Sequence, residues 1–91
     1  MLNNQSNSYN HPLDYRYIRH IRICRNLSQQ QLADKMEINA SDLSKLERNE
    51  KPFTPYYERK LRDVIRRLRV SRLELSNIRT LLEAKEKRGY K

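Results

Sequence analysis

Glycine occurs once in this 91-residue chain, as Gly89, and cysteine once, as Cys24. A lone cysteine closes no internal disulfide, so the fold must hold without a covalent staple, and a reducing, cytoplasmic setting is expected. One glycine leaves no glycine-rich loop to cradle a phosphate. No apolar run approaches the roughly 20 residues needed to span a bilayer. The segment Met1 to Pro12 is polar, rich in Asn and Ser, and lacks the apolar stretch of a signal peptide. His11 and His20 stand far apart, with no Cys or carboxylate at metal-ligand spacing from either, so no metal is expected. Cys24 has no activating base and reads as a small, partly buried residue rather than a nucleophile. Ser28, Ser41 and Ser71 are better explained as caps or contacts than as catalytic serines. Neither an enzyme nor a cofactor is expected.

Charge of one sign is what the chain has in excess. Lys and Arg number 20 against 11 Asp and Glu, a formal net charge of +9. Such an excess attracts polyanions, whether nucleic acid or an anionic membrane surface, without choosing between them. With 36% hydrophobic and 34% charged residues, the core must be small and a single domain is expected.

No stretch alternates as a strand would, and the apolar residues recur at helical spacing from Tyr15 onward. The pattern predicts an all-α fold of five helices, over residues 14–88, behind a flexible tail over 1–13. The first helix runs from about Asp14 to Arg25, with Ile18 and Ile21 inward and Asn26 closing it. The second starts at Ser28 with Gln31 at capping-box spacing, and buries Leu32, Ala33 and Met36. The third follows the N-cap Asn39, with Leu43 and Leu46 on one face and Asn49 closing it. The fourth starts at Thr54 with Pro55 in the favoured first position, then Leu61, Ile65 and Leu68. The fifth starts at Ser71, with Glu74 completing a second capping box, and carries Leu75, Ile78 and Leu82. Tyr15, Tyr17, Tyr56 and Tyr57 are expected at the rim of the core. The fourth helix is very basic through Arg59, Lys60, Arg62, Arg66, Arg67 and Arg69, and reads as a solvated face with Glu58 and Asp63 pairing at helical spacing.

Only Glu37 and Ile38 separate Met36 from the cap Asn39, so the second and third helices must cross sharply. The outer face of the third helix is then left polar: Ala40, Ser41, Ser44, Lys45 and Arg48. From Ile21 to Pro52 the chain resembles the Cro and lambda-repressor type of helix-turn-helix, also called Xre-like. The resemblance rests on Arg22, Leu27-Ser28-Gln29, Leu32-Ala33, Ile38-Asn39, Leu43-Ser44-Lys45-Leu46-Glu47 and a turn ending in Pro52. Leu61, Ile65, Leu68, Val70 and Ser71 resemble the family's closing helix and the start of the next. The chain departs from the family where Glu37 and Asn49 replace a frequent Gly.

The resemblance implies a phage-repressor-like helix-turn-helix domain over 28–48 that binds double-stranded DNA and regulates transcription, as a repressor of bacterial, phage or mobile-element origin at the nucleoid. It implies that Ala40, Ser41, Ser44 and Lys45 read base edges and that Gln29, Asn39, Arg48 and Lys51 grip phosphates. It also implies a structural salt bridge between Arg22 and Glu47. Read alone, Ser41 and Lys45 are a solvated helix face. The alternative function is a protein-interaction module of the same fold that binds another regulator without reading DNA. A weak homodimer on a pseudo-palindromic operator is expected, because one such domain buries little DNA surface. The fifth helix, 71–88, is the expected dimer interface through Leu75, Ile78, Leu81 and Leu82; the alternative is that Leu75 and Ile78 finish the monomer core and leave only Leu81 and Leu82 for a partner.

Overall fold

The structure is a computed structural model and describes residues 12–87. Among these residues it is all-helical, with five helices and no strand. They are α1 Arg16–Cys24, α2 Gln29–Met36, α3 Ala40–Glu47, α4 Pro55–Arg67 and α5 Arg72–Lys87. The expectations for residues 1–11 and for Arg88 to Lys91 fall outside the described residues.

Local side-chain bonds start most of the helices. Ser28 Oγ accepts the Gln31 N–H at 3.0 Å, while Gln31 Oε1 accepts the Ser28 N–H at 2.8 Å. Ser71 and Glu74 repeat this reciprocal box at the start of α5, at 3.0 and 2.9 Å. Asn39 Oδ1 accepts the Asp42 N–H at 2.8 Å. Each bond satisfies an N–H that the first helical turn leaves without a partner. Thr54 makes no such bond, and α4 relies on the preset φ of Pro55 at its start. α1 begins two residues later than expected, because Asp14 stays outside and accepts the Arg16 N–H at 2.9 Å.

The helix ends carry backbone strain. Asn26, Glu37, Asn49 and Arg69 have φ of 57°, 60°, 61° and 58°. Each follows a helix, and the next residue donates its N–H back five positions: Leu27 to Arg22, Ile38 to Ala33, Glu50 to Lys45 and Val70 to Ile65. The left-handed conformation costs a residue with a Cβ roughly 1–2 kcal/mol, a penalty that Asn softens by local bonding and Glu37 and Arg69 do not. The residue that follows offsets it. Leu27, Ile38 and Val70 all lie in or against the core.

That core is one cluster drawing on every helix. α2 packs on α3 and α4, and α1 packs on α5 and α3. Leu32, Ala33, Leu43, Leu46, Leu61, Ile18 and Ile21 are fully buried. Two side chains expected elsewhere join them. Leu13, set in the tail by its lack of a periodic neighbour, is buried, and so is Tyr17, expected at the rim. Tyr15 and Tyr57 are half-buried and Tyr56 is exposed. Cys24 is exposed rather than partly buried, since α1 turns it away from the core.

The expected dimer interface needs correction. Leu75, Ile78 and Leu82 are buried in the same chain, where α1 packs on α5, and are not available to a partner without opening the domain. Of the four leucine and isoleucine positions assigned to the interface, only Leu81 is exposed, at 45%. Period alone showed that α5 had an apolar face; it did not show what covers it. Leu82→Ala should therefore cost about 2–5 kcal/mol through a core cavity, whereas Leu81→Ala should cost under about 0.5 kcal/mol. Thermal melts of the two variants, side by side, check this; equal losses would contradict the assignment.

Candidate nucleic-acid interface

Burial of Leu43 and Leu46 fixes the rotation of α3 about its axis. The opposite side then presents Ser41 and Lys45, one turn apart and both exposed. Ala40 and Ser44 are half-buried at its edges, and Ala40 packs against the core. Arg48 donates to Ser44 Oγ and, at 2.9 Å, to Glu50 Oε1. This bond from Arg48, with the charges of Arg48 and Lys45, holds the Glu50 carboxyl below its ordinary pKa.

The orientation of α3 is set by one carboxylate. Glu47, at the end of α3, has a side chain only 6% exposed. It accepts Arg22 Nε at 2.9 Å and Arg22 Nη2 at 3.1 Å. Gln29 Nε2 donates to the same group at 3.0 Å. Arg22 Nη1 also donates to the Leu27 carbonyl at 3.3 Å. Side chains from α1, α2 and α3 thus meet at Glu47, and the α1–α2 connection is held through Leu27.

This geometry bears on the residues expected to grip phosphates. Gln29 spends one amide N–H on Glu47 and keeps a second to donate. Asn39 uses its carbonyl oxygen as a cap, leaving its NH2 group. Lys51 Nζ lies 3.8 Å from Asp42. The Arg48–Glu50 and Lys51–Asp42 pairs sit at the surface, where such pairs contribute about 0–1 kcal/mol and exchange easily for another anion.

A second junction was not visible in the sequence. Arg25, just past α1, grips Glu74 with both terminal nitrogens, at 2.6 and 2.8 Å. It also donates to the Leu68 and Arg69 carbonyls at 3.3 and 3.2 Å. One guanidinium therefore joins the end of α1, the end of α4 and the start of α5. Capping-box spacing marked Glu74, but nothing local marked a partner 49 positions away. Further along, Arg16 bridges Asp14 and Glu86, both at 2.8 Å, and ties the start of α1 to the far end of α5. His20 lies beside them, and burial, with Lys85 and Arg19 nearby, lowers its pKa.

Among the described residues no group of His, Cys, Asp or Glu could hold a metal ion, and no helix is long and apolar enough to cross a membrane. No protein-family model, curated protein or solved structure matches the chain.

Two stability predictions follow from these junctions. Glu47→Ala strands a largely buried guanidinium and the Gln29 amide, and should cost about 3 kcal/mol, read from denaturant unfolding; an unchanged midpoint would contradict the role given to Glu47. Glu74 is held down to about 2 by the Arg25 bond and then the Ser71 N–H, against an ordinary value of 4.5. Because its pKa is lower folded than unfolded, its contribution is complete above pH 4.5 and is lost as pH falls toward 2. The melting temperature of the wild type should fall more steeply over that window than that of Glu74→Gln. Parallel curves would count against the clamp.

Proposed function

We propose that this chain binds double-stranded DNA in a sequence-specific manner, as a helix-turn-helix transcriptional regulator of the repressor type, with α3 in the major groove. The observation that carries the reading is the exposed Ser41–Lys45 face of a short helix whose other face and C-terminal carboxylate are locked into the domain. A reading helix must hold its polar groups at fixed places, since base edges are told apart by donor and acceptor positions. Lys45 supplies donors for guanine O6 or N7. Ser41 donates or accepts, and the exposed part of Ala40 suits a thymine methyl. Gln29, Asn39, Arg48 and Lys51 surround this face with N–H donors for phosphates, which position the protein without reading sequence. The net charge of +9 supplies the long-range attraction.

Two copies on a pseudo-palindromic site complete the reading, because one small domain buries too little DNA for operator-level affinity. With the α5 apolar stripe inside the monomer, the surface left for pairing is its outer side, where Leu73, Asn77, Thr80 and Leu81 are exposed and uncharged.

Lys45→Ala should weaken binding to the preferred duplex by about 1–3 kcal/mol and relax the preference at one base pair. Binding isotherms on that duplex and its single-base variants read both effects. Equal loss on every sequence would make Lys45 a phosphate contact and remove the base-reading role. Sedimentation of the same complex should show two chains per duplex, and a single chain bound at full affinity would remove the dimer.

A further inference from the structure

The start of α1, the end of α3 and the far end of α5 border an open pocket of about 270 Å³. That is just below the range of small-molecule pockets, about 300–1,000 Å³, and gives room for one compact headgroup. Arg19 comes from α1, Lys85 from α5 and Arg48 from the residue after α3, so cationic donors reach the pocket from three sides. His20 lines it too. Burial lowers the pKa of His20, and the charges of Lys85 and then Arg19 lower it further.

The charges around the pocket do not cancel. Of its two carboxylates, Glu47 is taken up by Arg22 and Gln29. Glu86 is taken up by Arg16, which Asp14 also holds. Arg48 pairs with Glu50 at the surface, with side chains 54% and 55% exposed, and such a pair yields readily to another anion. Arg19 and Lys85 are exposed and have no ion pair among the described residues. Two positive charges are thus left facing one pocket. A planar monocarboxylate would match one guanidinium and leave the other cation unmatched, and a neutral molecule would leave both. A phosphate monoester carries close to two negative charges at neutral pH and three acceptor oxygens. It fits two free cations and a third that can exchange.

We propose that this pocket binds a phosphate group, as a small phosphate monoester, with Arg19 and Lys85 as its principal donors and Arg48 as a third, released from Glu50. The Arg19 fork can hold two of the oxygens, and the Lys85 ammonium meets the third as a point charge. The backbone of DNA is the other source of phosphate, but each of its diesters carries a single charge and is held along a duplex rather than free to enter a pocket. Filling the pocket draws Arg48 away from the α3 face. That consequence rests on the DNA reading above; the binding itself does not.

The test titrates the full chain, labelled with ¹⁵N, with inorganic phosphate at constant ionic strength and about pH 7.5, where phosphate is mostly the dianion. Saturable amide shifts should concentrate at Arg16 to Ile21, Glu47 to Asn49 and Leu82 to Lys87. Glycerol 3-phosphate should move the same amides. Acetate should bind at least about tenfold more weakly, as should phosphate to the double variant Arg19→Gln/Lys85→Gln, since charged hydrogen bonds are lost. Arg59→Gln/Arg69→Gln removes the same charge elsewhere and should bind as wild type. All four residues are exposed. In the wild type, saturating phosphate should raise the His20 pKa by at least about half a unit, because the bound anion offsets Lys85 and Arg19. The ring protons of His20 report this, and neither wild-type readout needs a variant to fold. Scattered or unsaturable shifts, no binding of glycerol 3-phosphate, equal binding of acetate or an unchanged His20 pKa would each overturn the proposal. So would an unaffected Arg19→Gln/Lys85→Gln variant, or an equal loss in Arg59→Gln/Arg69→Gln. A short DNA duplex that moves these amides while free phosphate does not would assign the pocket to the DNA backbone and overturn a small-molecule ligand.

Discussion

A carboxylate that is almost wholly buried must be matched by donors, and the donors that Glu47 recruits set the geometry of the domain. Arg22 comes from α1 and Gln29 from α2, while Glu47 itself ends α3. Three short helices, none long enough to be stable alone, are thus fixed to one another at a point the hydrophobic core does not reach. Apolar packing has no direction. Leu43 and Leu46 hold α3 down but would tolerate a few degrees of rotation or a small slide. Directional bonds at its C-terminus remove that freedom. The proposed reading of base edges depends on such a constraint, because a helix that rocks by an ångström cannot tell donor from acceptor.

The Arg25–Glu74 junction plays the matching role on the other side of the domain. Arg25 serves two carbonyls at the end of α4 and a carboxylate that already caps α5. Both junctions place an arginine of α1, or of the residue after it, against a glutamate far along the chain. In a protein with a core this small, polar clamps between helices supply specificity that a larger hydrophobic interior would supply by shape. The left-handed helix ends belong to the same scheme. With glycine almost absent, Glu37 and Arg69 accept backbone strain so that Ile38 and Val70 can turn inward.

What could be read from the sequence was what is local. Ser28 with Gln31, Ser71 with Glu74, and Asn39 at the head of α3 are signals carried within four residues, and helix number, order and inward faces follow from period and caps. Interactions across the chain left no such mark. Only resemblance to a family links Arg22 to Glu47, since no spacing rule relates positions 25 apart, and nothing local marks Arg25 as a partner of Glu74. The α5 stripe shows the difference most clearly. Its period identified Leu75, Ile78 and Leu82 as one buried face, but period is blind to whether the cover is α1 or a second chain. Leu13 failed for the opposite reason, being a single apolar residue with no neighbours to make a pattern. At the candidate site, the exposed position of Ser41 and Lys45 followed from the inward leucines. The second use of Gln29, as a donor to Glu47, did not.

The proposed function requires that the α3 face distinguish one DNA sequence from another. The most direct measurement is selection of bound duplexes from a fully randomised pool by the wild-type chain, followed by footprinting on the enriched site. The account predicts convergence on a short pseudo-palindromic sequence, with protection in successive major grooves about one helical turn apart. Binding that is strong at low salt, fades evenly as salt rises and enriches no sequence over repeated rounds would contradict it.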